Sequence, residues 1–350
     1  MRRRRERPSS GRVVAVTGGA GGLGAALLAR LAGRDDLGGL IGIDLAPGRI
    51  DGVVWRTADV REPLPADLLT GVDTLVHLAT THDVTRDRDE RRGRNVRSTS
   101  AVLDAAQRAA VQSVVLVTSA DVYGAVAGNP VPLRDDGPLR ATPGPDLLGD
   151  HLEMERLAAD ADVPVAVLRP ATLVGADLGP EYDGALLRLL AGPRLLAARG
   201  TEPQWQLCHT EDLVAALELV VVAGLTGPLP AGCEGAMPQS AVEQLAGKRR
   251  VELPAAVAVS TSERLHRRGS STASPRELDH LLAPVVVGST GLRAAGWAPR
   301  WTNEAALAAH LADRSRSDGR AGAYTAAGAT VALLGTAALV RQARRRRRGL

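Results

Sequence analysis

Apolar and polar positions along the first half of the chain fall into two alternating patterns. Val13–Val16 is a continuous apolar run, as in a strand buried on both faces. Leu23, Leu27, Leu28 and Leu31 follow at helical spacing. "LIGID" (Leu40–Asp44), "VVWRTADV" (Val53–Val60) and "DTLVHLA" (Asp73–Ala79) read as three further strands. An Ala-rich helix is predicted over Asn95 to Ala110. "SVVLVTSA" (Ser113–Ala120) and "VPVAVLRP" (Val163–Pro170) then supply a fifth and a sixth strand. Strands that alternate with helical stretches predict parallel βαβ units and an α/β fold with a Rossmann-type doubly wound sheet.

Beyond Pro170 the pattern loosens and Gly and Pro become frequent. Shorter helices are expected at Asp183–Ala191, Glu211–Val222, Ser240–Leu245 and Asn303–Leu311. The expected organisation is a basic arm over 1–10 and a nucleotide-binding domain over 11–170. A smaller C-terminal substrate lobe covers 171–314, with one helix near 211–223 returning to the main domain. A polar linker (Asp313–Gly322), an apolar helix and an Arg-rich tail close the chain over 315–350.

Composition changes the picture in three ways. The chain has 45% apolar residues but no Phe, four Trp and three Tyr, so its core must be aliphatic. The net charge of +4 is uneven: the first ten residues carry +4 and the last ten +6, which leaves −6 between them. The body is therefore mildly acidic and a poor nucleic-acid surface. Cys208 and Cys233 form neither a disulfide framework nor a metal cluster, and no His/Cys/Glu group has metal-site spacing. The Arg run at the start is followed by Pro8-Ser9-Ser10-Gly11 rather than an apolar stretch, unlike a signal peptide.

Candidate chemistry begins at Thr17-Gly18-Gly19-Ala20-Gly21-Gly22-Leu23-Gly24, between the first strand and the first helix. A tight turn needs Gly18, close approach of a pyrophosphate needs Gly21, and helix-on-strand packing needs Gly24. The phosphates would then meet the amide donors of a helix N-terminus. Asp44 closes the second strand 20 residues past Gly24. A carboxylate there binds the ribose hydroxyls of NAD and repels the 2′-phosphate of NADP, so NAD is the expected cofactor.

From Val13 to about Ala216 the sequence resembles the extended short-chain dehydrogenase/reductases, the NAD-dependent epimerase/dehydratase group. "TGGAGGLG" is similar to that family's TGxxGxxG. "ADV" carries Asp59, at the family's adenine-contacting acid, and Val60. "VHLA" supplies Leu78 and Ala79 on the strand beneath the cofactor. "NVRSTSAVLDAA" begins at Asn95 and departs from the family pattern at Ser98 and Ala101. "TSADVYG" puts Ser119 at the catalytic Ser/Thr position, and "LRPATLVG" holds Pro170. "CHTEDLVAA" and "GLRAAGWAPRWTNEAALAAHL" match later segments. The resemblance implies cofactor contacts at Thr17, Gly18, Gly21, Gly22, Leu23, Gly24, Asp44, Asp59, Val60, Leu78, Ala79, Asn95, Ser119, His151 and Pro170. It also implies pairing of two copies through helices flanking the sheet, a homodimer.

One family feature is missing. After the VYG strand the family carries Tyr-x-x-x-Lys on one helix face, the tyrosine moving the proton and the lysine lowering its pKa. Aligning Glu155-Arg156-Leu157 with the family's ERL puts Leu147 at the tyrosine position and His151 at the lysine position. The tyrosines are Tyr123, Tyr182 and Tyr324, followed four places on by Ala127, Leu186 and Gly328; Lys248 is the only lysine. The pair exists nowhere in the chain.

Two readings stand for His151: a proton shuttle, or a helix-face residue touching the ribose or solvent, the latter favoured. Asp150 is a base if desolvated and otherwise an exposed helix Asp. Glu153 and Glu155 are expected to be solvated. His77 reads as a strand residue fixed beside the cofactor, and His209 and Asp212 as capping and packing residues.

Residues 321–340 carry no charge and precede "RQARRRRR". The segment is long enough to span a bilayer but only weakly hydrophobic. A helix on the anionic inner face of the plasma membrane, a soluble or self-associating helix and a disordered tail are the alternatives.

The expected function is cytoplasmic NAD binding with a degenerate active site, in a sensing, regulatory or scaffolding role. One alternative is an active epimerase, dehydratase or reductase on a nucleotide-sugar-like small molecule, using Ser119 with His151 or Asp150. The other is a membrane-tethered adaptor.

Overall fold

A computed structural model of the chain describes residues 11–65, 67–175, 178, 182–191, 194–254, 257 and 279–320. The basic arm and residues 321–350, on which the tail readings fall, lie outside the described residues.

The first half folds as strand β1 (Arg12–Thr17), helix α1 (Gly22–Ala32), β2 (Leu37–Asp44), β3 (Val53–Thr57) and β4 (Thr74–His77). Helix α2 (Arg88–Arg92), a π-helical turn (Gly93–Arg97), α3 (Ser98–Arg108), β5 (Ser113–Val117), α4 (Leu147–Ala159) and β6 (Val165–Pro170) follow. Next come β7 (Thr172–Val174), α5 (Ala185–Ala191), β8 (Leu195–Ala198), β9 (Gln204–Trp205), β10 (Leu207–His209) and α6 (Thr210–Ala223). The chain continues through β11 (Gly227–Ala231), β12 (Met237–Pro238), α7 (Gln239–Ala246) and β13 (Arg250–Leu253). Helices α8 (Thr290–Ala294) and α9 (Asn303–Arg320) end the described chain.

Seven strands form one parallel sheet in the order β11-β6-β5-β4-β1-β2-β3. Strand order reverses at β1, with β2 on one side and β4 on the other, and such a reversal opens a crevice at the strands' carboxyl ends. Register aligns the motif residues along that edge: Thr17 pairs with Ile43 and with His77, and His77 with Leu116.

Alternation along the strands divides the core. Val14 and Val16 pack on one side with Leu27, Leu28 and Leu31 of α1 and Leu213 and Leu217 of α6. Ala15 faces the other side with Leu75, Leu116, Val102 and Leu103. The smaller lobe has its own core around Trp205, Leu187, Leu190, Met237 and Leu307. Without Phe, aliphatic side chains and the fully buried Trp205 and Tyr123 fill the volume.

Three elements differ from expectation. The helix expected over Asn95–Ala110 is α3 preceded by the π-helical turn, in which the buried Asn95 side chain bonds to the Thr81 backbone. Strand β11, "GPLPA", has no apolar alternation and carries two prolines. It nevertheless joins the main sheet at its edge, where a missing N–H is tolerated. The segment from Asp313 is not a linker: α9 continues through Arg320, supported by ion pairs of Arg316 with Asp313 and of Arg314 with Asp183. Among the described residues no helix is long and apolar enough to cross a membrane.

Candidate cofactor and ligand site

The glycine loop leaves β1 with Gly18 at φ +68°, in the left-handed region. A Cβ on Gly18 would lie 2.8 Å from the Leu78 and Ala79 backbone, and one on Gly24 would lie 2.1 Å from the Gly18 carbonyl oxygen. Gly21 is open: a Cβ there would meet only the Gly18 carbonyl, at 3.4 Å. Gly22 and Leu23 begin α1, whose first turn has neither an acidic residue nor a side-chain cap, and they line a second cavity of about 270 Å³ against α6. Asp44 accepts from the Ala20 amide at 3.0 Å and the Leu45 amide at 2.7 Å, which sets its carboxylate beside the loop. A loop with no room for side chains at Gly18 and Gly24, open space at Gly21 and a carboxylate at the next strand end fit a dinucleotide.

Beneath the loop runs a buried hydrogen-bond chain. Thr17 Oγ1 accepts from the Leu78 and Ala79 amides at 3.2 and 3.4 Å, so its hydroxyl donates to His77 Nδ1 at 2.7 Å. His77 therefore carries its proton on Nε2 and donates to Ser98 Oγ at 3.2 Å; Ser98 in turn donates to the Arg94 carbonyl. Complete burial pushes the His77 pKa down to about 4, so the ring is neutral. The Ser98 that departs from the family pattern is thus the link that passes this chain on to the Arg94 carbonyl.

Asp59 is held down to about 2, chiefly by hydrogen bonding from Arg61, at 2.5 Å. Val60, read as a cofactor contact, has its side chain in the core with Leu64 and Leu68. Asn95 is fully buried: its Oδ1 accepts from the Thr81 amide at 2.8 Å and its Nδ2 donates to the Thr81 carbonyl at 3.0 Å.

Helix α4 is capped by Asp146, which accepts from the Gly149 amide at 3.0 Å. It presents Leu147, Leu148 and His151 to a cavity of about 390 Å³ also lined by Ser119 and Pro170. Leu147 and His151 therefore do share one helix face over a common space. Ser119 Oγ accepts from the Asp121 amide at 3.1 Å.

Two carboxylates on α4 correct the sequence reading. Asp150 is 2% exposed and pairs with Arg91 Nε at 2.8 Å. Burial raises its pKa, and the Arg91 hydrogen bond opposes that rise. Glu155 is buried too: it receives Arg169 through Nε at 2.9 Å and Nη2 at 2.7 Å, and the Thr118 hydroxyl at 2.7 Å. Arg169 Nη1 donates to the Tyr123 hydroxyl at 2.9 Å, which donates to the Asp135 carbonyl at 2.7 Å. A lone Asp or Glu on an amphipathic helix reads as solvated; its arginine lies 59 residues away in one case and 14 in the other. Glu153 pairs with Arg156 at the surface. His209 caps α6 by accepting from the Glu211 amide and stacks on Trp301 at 3.9 Å, and Asp212 holds the Arg300 and Trp301 amides.

The cavity also gathers residues that sequence reasoning missed. His82, from the loop after β4, lies 5.3 Å from His151 and 5.5 Å from Tyr182, centroid to centroid. His280 lies 3.4 Å from Asp121, and Asp183 and Arg188 complete the polar wall. His82 is three residues beyond Ala79 of the strand motif, a signal that was available; Tyr182 and His280 had none. Among the described residues no group of three or more His, Cys, Asp or Glu could hold a metal ion.

This sheet, glycine loop and carboxyl-edge cavity define a Rossmann-type nucleotide-binding protein. The model of the NAD dependent epimerase/dehydratase family matches residues 14–228, and the chain belongs to that family, within the extended short-chain dehydrogenase/reductases. It is 30% identical over 315 residues to the uncharacterized protein Rv0501 of Mycobacterium tuberculosis (strain H37Rv), covering 85% of this chain and 82% of that one. Solved structures share the fold. MoeE5 in complex with UDP-glucuronic acid and NAD has 23% identity, a TM-score of 0.63, and coverage of 88% of this chain and 100% of that one. A short-chain dehydrogenase/reductase superfamily protein from Agrobacterium tumefaciens with bound NAD has 20% identity, a TM-score of 0.62, and coverage of 89% and 100%. The dTDP-glucose 4,6-dehydratase of Bacillus anthracis in complex with NAD has 16% identity, a TM-score of 0.61, and coverage of 88% and 98%.

Proposed function

We propose that this chain binds NAD and a small-molecule ligand side by side without the family's usual proton transfer, as a nucleotide-sensing or regulatory protein. The observation that carries this reading is helix α4, which turns Leu147 and His151, not tyrosine and lysine, toward the cavity. Bound NAD supplies a two-electron hydride acceptor. Gly18, Gly21, Gly22 and Gly24 would cradle its phosphates, and Asp44 would take the adenosine ribose and disfavour NADP. His151 is a poor replacement base. Burial, His82 and Arg91 together hold its pKa well below the usual imidazole value, whereas efficient proton transfer near neutrality needs a pKa near 7.

Isothermal titration with NAD and NADP tests the cofactor half: binding of NAD with at least tenfold preference is expected, and no NAD binding at millimolar levels sinks the reading. Absorbance at 340 nm with candidate nucleotide sugars tests the other half; no reduced nicotinamide is expected.

A second reading, an active enzyme using Ser119 and His151, is favoured by one observation: both line the same cavity. Turnover that survives both Ser119→Ala and His151→Ala removes it. Our reading also puts the body in the cytoplasm, with residues 321–350 against an anionic membrane face. That part rests on the uncharged 20-residue stretch and Arg cluster. Equal fractionation of the full chain and a chain ending at Arg320 would remove the membrane component. Pairing of two copies is carried over from the family resemblance and is tested by sedimentation.

A further inference from the structure

Asp44 closes β2, on one side of the strand that carries the glycine loop. The 390 Å³ cavity lies on the other side, lined by residues that close or follow β4, β5 and β6: His82, Thr118, Ser119 and Pro170. A dinucleotide with its phosphates on the loop and its adenosine ribose on Asp44 therefore runs its second half toward β4 and β5, into this cavity.

Two side chains that border the cavity beside α4 have hydrogen-bonding capacity left over. Arg91, from α2, is 5% exposed and donates through Nε to Asp150 at 2.8 Å and through Nη2 to the Pro145 carbonyl at 2.9 Å. Its Nη1 bonds to no other described residue, and neither does either ring nitrogen of His151, which is 4% exposed. Among the described residues, the unpaired side-chain atoms closed to solvent are His82 Nδ1, Trp205 Nε1, Gln239 Oε1 and Ser289 Oγ. Arg91 Nη1 and the His151 nitrogens are not among them, so they reach open space, and the space both residues border is the cavity. Side chains this deep normally have their donors and acceptors matched, and open ones persist where a ligand or water supplies the partner.

The two residues are chemically complementary. A guanidinium only donates, whereas a neutral imidazole also offers one nitrogen as an acceptor. His151 is neutral because burial, with His82 and Arg91 nearby, holds its pKa well below the usual imidazole value. Arg91 is tied down by a carboxylate and a backbone carbonyl, which fixes the direction of Nη1. One fixed donor and one acceptor suit a pair of neighbouring hydroxyls. The first accepts from Arg91 and the second donates to His151. The family pattern puts a lysine cation at position 151; here a cation reaches the same cavity from another helix.

We propose that Arg91 is a cofactor-binding residue that stands in for the missing lysine. Its Nη1 donates to one hydroxyl of the nicotinamide-side ribose of NAD, and His151 accepts from the other. The proposal rests on the NAD-binding reading above.

ADP, ADP-ribose and NAD test it, because they share one diphosphate half and add first the second ribose and then the nicotinamide. Each is titrated calorimetrically into the full chain. Arg91→Met is expected to weaken ADP-ribose and NAD by about tenfold or more and to change ADP by less than about twofold. Arg91→Lys is expected to retain part of the affinity. Because Arg91→Met strands the buried Asp150 carboxylate, the double variant Arg91→Met with Asp150→Asn is made alongside. It is expected to melt near the wild type and to show the same ligand pattern. His151→Phe is expected to weaken ADP-ribose and NAD about three- to tenfold. Unchanged NAD affinity in the folded double variant, an equal loss for all three ligands, or a loss confined to NAD overturns the proposal. Failure of all three to bind the wild-type chain removes the cofactor reading itself, so the first titrations show which has failed.

Discussion

His77 has one tautomer because its neighbours leave no choice. The Leu78 and Ala79 amides occupy Thr17 Oγ1 as an acceptor, so the proton order down to the Arg94 carbonyl is set. Burial lowers its pKa from the usual 6.5 to about 4, so between these values the unfolded chain binds a proton that the folded chain refuses. Stability therefore falls as pH drops from about 6.5 to about 4, by up to about 3 kcal/mol from this residue alone. Urea midpoints measured across that window are expected to fall, and His77→Asn to make the fall shallower. It should not abolish the fall, because His82 and His151 act in the same direction. Asp59, held down to about 2 by Arg61, contributes above its ordinary value near 3.8 and loses that contribution only below it, so the two effects separate by pH. Glu155→Gln strips the carboxylate from the buried Arg169 and is expected to cost about 3–5 kcal/mol in urea unfolding. A surface carboxylate such as Glu153 should cost less than about 1 kcal/mol when treated likewise.

At the scale of elements, the glycine loop and helix α4 show where sequence suffices and where it does not. The loop is legible because its requirement is local: Gly18 needs a positive φ, and a Cβ on Gly24 would lie 2.1 Å from the carbonyl oxygen of Gly18, six residues away. Gly24→Ala is expected to lower NAD affinity at least tenfold and to destabilise the fold, as read by calorimetry and melting. Helix α4 was legible as a helix, with Leu147 and His151 one turn apart, but the fate of its carboxylates was not. Asp150 and Glu155 look alike on the amphipathic pattern, and both are buried only because Arg91 and Arg169 arrive from other elements. Restoring the family's residues alone should not restore its chemistry. In Leu147→Tyr with His151→Lys, an ammonium would replace a 4%-exposed imidazole near Arg91, so a loss of a few kcal/mol and no signal at 340 nm are expected. Turnover in that double variant would mean that α4 alone keeps the site silent.

For the whole molecule, ligand linkage offers the simplest check. NAD at a hundredfold its dissociation constant is expected to add about 2.7 kcal/mol and to raise the melting temperature by several degrees, with NADP doing far less. The parallel, doubly wound sheet followed from alternating patterns because βαβ units leave few alternatives, whereas the strand order and its reversal at β1 came only from the structure. Strand β11 did not: two prolines hide it, and only its place at the sheet edge makes them harmless. By itself the sequence determined the parallel sheet, the glycine cradle, Asp44 and the absence of a tyrosine–lysine pair, because each depends on residues near one another in the chain or on composition. Tertiary structure decided which charges are buried and paired, and which rings meet in the cavity. His82, Tyr182 and His151 come from three segments, and only folding brings His82 to 5.3 Å from His151 and 5.5 Å from Tyr182. Burial then keeps the two imidazoles, His82 and His151, neutral, since an imidazole stripped of water gives up its proton.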